Sequence, residues 1–242
     1  MNRVLKSPFL LALLAGVVVL LVAFAPALWQ VLRGTAPAPV SSPEAPWSIA
    51  ARGDGVAAFG LQLPGSTLAD ADQRWGEGLQ LAVMAETGQP GALEGYVERF
   101  DGGGVGGRLL LTTSLGDAEL LRLQQTAAER EPAGGTLWRY PLRASERPAL
   151  GATPLVGLSF IPATNLDAQT LRQRFGEPDE VIAPGGRLEH WLYPARGLAI
   201  AVDAEGRELL QVVAPADFER RLRAPLKTAA SAAASPAASA LR

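Results

Sequence analysis

Apolar positions along the chain fall into three regimes: an unbroken run near the N-terminus, a middle in which period-two stretches alternate with period-3.6 stretches, and an Ala- and Ser-rich end. The N-terminal run covers residues 8 to 32 and is interrupted only by Gly16, Pro26 and Gln30. About 20 apolar residues cross the hydrocarbon core as a helix, so the run predicts a transmembrane signal-anchor over residues 1 to 33. A signal peptide cleaved near Ala25-Pro26-Ala27 is the alternative. Arg3 and Lys6 outweigh Arg33 across the run, which orients the N-terminus to the cytoplasm and the rest outward. In a bacterium that means an inner-membrane, single-pass protein with a periplasmic C-terminal domain. Residues 34 to 47 hold Pro37, Pro39, Pro43 and Pro46 among small side chains, the composition of an extended spacer.

The middle of the chain predicts two similar units, over residues 48 to 148 and 149 to 224. In the first, residues 56 to 63 read as a strand, Thr67 and Asp70 as a helix start, and Leu68, Ala71 and Trp75 as one helical face. Strands follow at residues 79 to 85, 93 to 100 and 108 to 113, with turns at Gln89-Pro90-Gly91 and at residues 101 to 107. The second unit repeats the order. Thr164 and Asp167 match the helix start, Ala168, Leu171 and Phe175 form the apolar face, and strands follow at 181 to 182, 187 to 193, 198 to 202 and 208 to 213. Because three more residues separate cap from end, the second helix is expected to be a turn longer than the first. A linking helix is predicted at 117 to 130 and a strand at 136 to 142. A short terminal helix is predicted at 217 to 223, and the tail, residues 225 to 242, lacks large apolar groups other than Leu226 and Leu241 and reads as disordered, with an Ala-rich stretch before Pro236 able to form transient helix.

Both helices end on the same string. Gln73-Arg74-Trp75-Gly76-Glu77 and Gln173-Arg174-Phe175-Gly176-Glu177 stand one hundred positions apart. Leu93-Glu94-Gly95-Tyr96-Val97 then matches Leu188-Glu189-His190-Trp191-Leu192, which sets the register of an internal repeat. A competing register aligns Trp138-Arg139-Tyr140-Pro141 with Trp191-Leu192-Tyr193-Pro194.

Phe175-Gly176-Glu177-Pro178 with Trp191-Leu192-Tyr193 resembles the SmpA/OmlA (BamE) family of small envelope proteins. The doubled arrangement resembles the fold group of the β-lactamase inhibitor protein. That resemblance implies an α+β fold in which two helix-plus-antiparallel-sheet repeats form one continuous sheet behind the N-terminal transmembrane helix. It also suggests a role in outer-membrane protein assembly. Members of the SmpA/OmlA family are held by an acylated cysteine, whereas this chain has none.

Composition narrows the chemistry. Without cysteine there is no disulfide, thiolate metal site or cysteine nucleophile. Lys+Arg at 22 against Asp+Glu at 24, with no basic stripe, gives no footprint for nucleic acid. The glycines at 102, 104 and 107 match a dinucleotide-binding pattern, but a strand follows where that mechanism needs a helix, so a hairpin loop is the better reading. His190 is the sole histidine and lacks a presented serine, so a hydrolase is the least favoured class. The acid pairs Asp70 with Asp72, Asp179 with Glu180 and Asp203 with Glu205 flank a helix start or turns, and Arg220, Arg221, Arg223 and Lys227 read as a solvated helix end. No metal, cofactor or small-molecule ligand is expected.

What remains is a sheet face. Strict alternation puts Leu93, Val97, Leu188 and Leu192 toward the helices, and Glu94, Tyr96, Phe100, Glu189, Trp191 and Tyr193 on the opposite side. Aromatic anchors rimmed by acids are what protein interfaces use. The expectation is therefore a non-enzymatic, membrane-anchored periplasmic binding or scaffold protein that engages an envelope protein through these six residues. An inhibitor or regulator of a periplasmic enzyme is the alternative.

Overall fold

Period-two patterning fixes where strands form, and pairing then decides their order. The computed structural model describes residues 42 to 185, 187 to 203 and 208 to 234. Three short strands, β1 (Ala50–Arg52), β2 (Gly55–Ala58) and β3 (Leu61–Leu63), make a small antiparallel sheet. The first helix, α1 (Leu68–Trp75), leads into β4 (Leu79–Glu86), β5 (Ala92–Asp101) and β6 (Gly106–Thr113). Helix α2 (Asp117–Thr126), β7 (Glu131–Gly134), β8 (Leu137–Pro141) and β9 (Leu155–Pro162) follow. Next come α3 (Ala168–Phe175), β10 (Glu180–Gly185), β11 (Leu188–Tyr193), β12 (Leu198–Asp203) and β13 (Leu209–Val212). The last helix is α4 (Ala224–Ala234), entered through a π-helical turn at Glu219–Arg223.

Ten strands form one sheet in the order β10-β11-β12-β13-β9-β6-β5-β4-β8-β7, with every pairing antiparallel. Its inner face carries the main core. Leu93 and Val97 of β5, Leu109 and Leu111 of β6, Leu158 and Phe160 of β9 and Ile200 of β12 pack there with Leu68 and Ala71 of α1 and Leu171 and Phe175 of α3. Phe59, Phe100 and Phe160 meet at its centre, with ring centroids 5.4 to 5.8 Å apart. A second, smaller cluster lies on the outer face, where Phe218 and Leu222 cover Ile182, Leu192, Ala199 and Val213.

The two helix ends explain the duplicated string. Gly76 and Gly176 have φ of 48° and 80°, the left-handed region in which only glycine is unstrained. The carbonyls freed there are taken up by later side chains. Arg147 donates to the Gly76 carbonyl, the Tyr193 hydroxyl to that of Gly176 at 3.0 Å, and Arg196 to that of Phe175 at 2.9 Å. The repeated arginines clamp the residues before β1: Arg74 pairs with Glu44, and Arg174 stacks 4.8 Å from the centre of the Trp47 ring. Residues 42 to 47, expected as the end of a spacer, are therefore folded in, with Ala45 and Pro46 buried. The helices are of equal length, eight residues each, because Asp167 rather than Thr164 caps α3 by accepting the Thr170 amide at 2.8 Å.

The expected fold class needs correction. In place of two α+β repeats behind a transmembrane helix, the described residues are dominated by a ten-stranded antiparallel sheet with short helices laid on it. No helix among them is long and apolar enough to cross a membrane, and the apolar run at residues 8 to 32 lies outside the described residues. The short terminal helix expected at 217 to 223 extends into the Ala-rich tail, since residues 224 to 234 are helical too. Pro225 has no amide hydrogen to donate, and the wider π-turn before it accommodates that loss. Alanine, the best helix former, then continues the helix.

Candidate functional site

The site is built from the outer face of the large sheet. Because the strands pair in register, side chains on one face line up in rows across them. One row runs from the β10 edge as far as β4: Glu180, Leu192, Ala199, Gln211, Ser159, Leu110, Tyr96 and Gln80 are successive cross-strand partners. The helical segment after β13 covers its first part, at Leu192 and Ala199. No described element covers the part at Ser159, Leu110, Tyr96 and Gln80. In the neighbouring row, Pro141, Ala82, Glu94, Thr112 and Gly157, the side chains of Pro141, Glu94 and Thr112 are partly exposed, whereas Ala82 and Gly157 are buried between their neighbours.

Glu94 lies on this second row, beside the row that carries Tyr96 and Leu110. Its cross-strand neighbours, Ala82 and Thr112, carry no charge, and its carboxylate has no hydrogen bond or ion pair with any described residue. Burial pushes the Glu94 carboxyl above the usual range, because an apolar setting disfavours the charged form and no partner offsets the cost. Tyr96 and Leu110, directly opposite each other, are both partly exposed.

Two hollows flank these residues. One, of about 150 Å³, is walled by Thr112, Gly157, Ser159 and Gln211 from the sheet and by Arg221 and Leu222 from the C-terminal segment. The other, of about 520 Å³, lies at the β5–β6 hairpin beside Arg99, Arg108 and Ile161. Gly107 fits the second because β9 passes so close that a Cβ there would stand 2.4 Å from the Ile161 carbonyl oxygen.

Of the six residues that alternation assigned to this face, Glu94 and Tyr96 lie on its open part. Phe100 does not. A bulge sets Val97 opposite Leu109 but Phe100 opposite Gly107, so three steps on β5 match two on β6. The extra residue turns Phe100 into the core, where it is 3% exposed. Trp191 and Tyr193 are likewise buried on the inner face, at 1% and 3% exposure. Arg172 stacks 4.3 Å over the Trp191 ring, whose Nε1–H donates to Glu189 at 2.8 Å. Tyr193 packs on Phe175, and burial pushes its hydroxyl up to about 12. Glu189 is exposed, but it serves Trp191 on the inner side.

The face assignment of β11 is therefore inverted relative to the sequence pattern. Leu192, expected toward the helices, belongs to the outer cluster. In the structure Trp138 and Tyr140 pair with Ala85 and Val83 on the core side, as Trp191 and Tyr193 also lie. Facing thus agrees with the competing register and not with the one that matched Leu93 to Leu188.

Leu110, Thr112 and Ser159 were not among the candidates, although the alternation of Arg108, Leu110 and Thr112 marks them as outward. His190 is half-buried on the outer face between Ile182 and Ala201, and burial pushes its pKa down. Ser159 lies three strands away on β9. Among the described residues, no three acidic or histidine side chains converge as a metal site. Arg223 and Lys227, expected as solvated, both pair with Glu180, at 2.9 and 3.0 Å.

Comparison with protein-family models, with curated proteins and with solved structures finds no match. The likeness to the SmpA/OmlA family rests on the sequence motifs. Within this fold those motifs cap α3 and fill the core beneath it.

Proposed function

We propose that this chain is a binding or scaffold protein with no reaction of its own, and that it engages a protein partner through the open part of the outer sheet face at Glu94, Tyr96, Leu110 and Thr112. The observation that carries the reading is Glu94, a half-buried carboxylate with no partner among the described residues, beside an aromatic and a leucine on a face that no described element covers. Isolated buried charge is costly, and a partner that supplies a countercharge relieves the cost. Large side chains at the centre and polar groups around them are the arrangement of an interface core and rim. Export directed by the N-terminal apolar run would place this face among envelope proteins.

Site-specific photocrosslinking in the host cell tests the proposal. A photoreactive side chain at position 96 or 110 should give a discrete protein adduct that disappears with Glu94→Arg. The same group at Leu121 or Val181, which are exposed elsewhere, should not. Adducts from 121 or 181 but none from 96 and 110 would overturn the reading.

A further inference from the structure

The covered part of the outer face shows what kind of element this sheet accepts. The segment from Pro215 to Ala234 presents Phe218, Leu222, Leu226 and Ala230 at four-residue spacing to Ile182, Leu192, Ala199 and Val213. The neighbouring carboxylate, Glu180, receives Arg223 and Lys227, which also stand four residues apart. An apolar stripe on the sheet and a pair of basic groups on an outward carboxylate together hold this helix.

The open part of the face offers the same two features without an occupant among the described residues. It continues the covered part along one row, from Ala199 through Gln211, Ser159 and Leu110 to Tyr96. Tyr96 and Leu110 supply the apolar stripe, with Ala82 and Met84 on β4, and Glu94 supplies the carboxylate. From β13 to β4 the row crosses five strands, roughly 19 Å at the usual spacing between strands. A helix with its side chains is about 10 Å across, so one fits beside the chain's own C-terminal helix. The 150 Å³ cleft between Leu222 and Thr112 would be its inner margin.

We propose that the partner element is an amphipathic, basic α-helix, which lies next to the C-terminal helix, sets Leu or aromatic side chains on Tyr96 and Leu110, and presents an arginine or lysine to Glu94. This rests on the reading that the open face binds a protein. It goes further in fixing the chemistry of what binds, by continuity with the helix-covered part of the same face and by charge complementarity at Glu94.

The probe is a fluorescein-labelled peptide with the sequence of residues 215 to 234, titrated with the full chain and followed by anisotropy. A control peptide carries glutamine in place of Arg221, Arg223 and Lys227. The native peptide should bind saturably, and Glu94→Gln in the full chain should weaken it at least tenfold. Glu180→Gln should leave it within about twofold, which separates the open site from displacement of the chain's own helix. The glutamine peptide should bind at least tenfold more weakly to the unmodified chain and lose nothing further with Glu94→Gln.

No saturable binding, equal binding of the two peptides, or indifference to Glu94→Gln overturns the proposal. Crosslinks from positions 96 and 110 that map to residues 1 to 41 of the same chain would overturn it too, by naming that segment as occupant. If those positions capture a partner through an extended or acidic segment, the helix is wrong and the face stands. If they capture nothing, the face itself is wrong.

Discussion

Replacing Phe100 and Tyr96 by alanine, separately, reads out the bulge in β5 as a difference in stability. Strict alternation makes the two residues equivalent, both outward. The structure makes them opposites: Phe100 is 3% exposed and lies 5.8, 5.5 and 6.1 Å from the rings of Phe59, Phe160 and Trp75, whereas Tyr96 is partly exposed on the open face. Truncating a buried phenylalanine to alanine costs about 3 to 5 kcal/mol, through lost burial and the cavity left behind. Three aromatic neighbours put Phe100 toward the upper end. Removing a partly exposed side chain from a cross-strand pair costs about 0.2 to 1 kcal/mol. With a urea slope of about 2 kcal/mol per molar, Phe100→Ala should lower the unfolding midpoint by about 2 M and Tyr96→Ala by less than about 0.5 M. The fluorescence of the five tryptophans reports the transition. Equal shifts for the two variants, or a Phe100→Ala effect under about 1 kcal/mol, would refute the placement of Phe100 in the core.

Tyr193→Phe removes only the hydroxyl that bonds the Gly176 carbonyl at the end of α3 and should cost about 1 kcal/mol by thermal or chemical denaturation, while Tyr96→Phe should be near neutral. Gly107→Ala should destabilise by at least about 1 to 3 kcal/mol, because its Cβ would collide with the Ile161 carbonyl and the Phe160 ring, whereas Gly106→Ala, with open space around it, should be tolerated. For Glu94 the sign follows from the raised pKa. The folded state holds the proton more tightly than the unfolded state, so this group's contribution is most favourable below the ordinary carboxylate range and is lost as pH rises through the raised value. Glu94→Gln should therefore be more stable than the unmodified chain at neutral pH and indistinguishable from it near the bottom of the carboxylate range, as read by melting temperature against pH.

Strand positions were legible because period two survives wherever one face is buried and the other wet, as in Leu79, Leu81 and Val83 or in Leu109 and Leu111. Facing was not, for two physical reasons. A bulge adds one residue without changing composition, so nothing in Val97-Glu98-Arg99-Phe100 announces that the phase slips. In β11, Trp191, Leu192 and Tyr193 are buried together, since α3 covers one face and Phe218 and Leu222 cover the other. A strand packed on both sides has no alternation to read. The C-terminal helix was legible only from 217 to 223, because Pro225 and the small residues after it resemble a breaker and a disordered tail, while the apolar stripe that continues through Phe218, Leu222 and Leu226 emerges only at four-residue spacing. Of the candidate site, Glu94 and Tyr96 could be placed because β5 is regular up to Val97.

The outer face can be seen as one surface in two states of completion. Where Glu180 meets Arg223 and Lys227, the carboxylate is neutralised and the apolar row beneath the helix is sealed. Around Glu94 the same kinds of groups are present, but the charge is unanswered and Tyr96 and Leu110 remain partly exposed. A cation that arrives at Glu94 favours the ionised carboxylate, the opposite of what burial does in the free protein. Binding should then release a proton over the pH range in which free Glu94 is still partly protonated, and affinity should rise with pH across that range. The fold gives up stability at the ionised Glu94 that a cationic partner restores, so the residue that weakens the isolated domain is also the one best placed to select what binds.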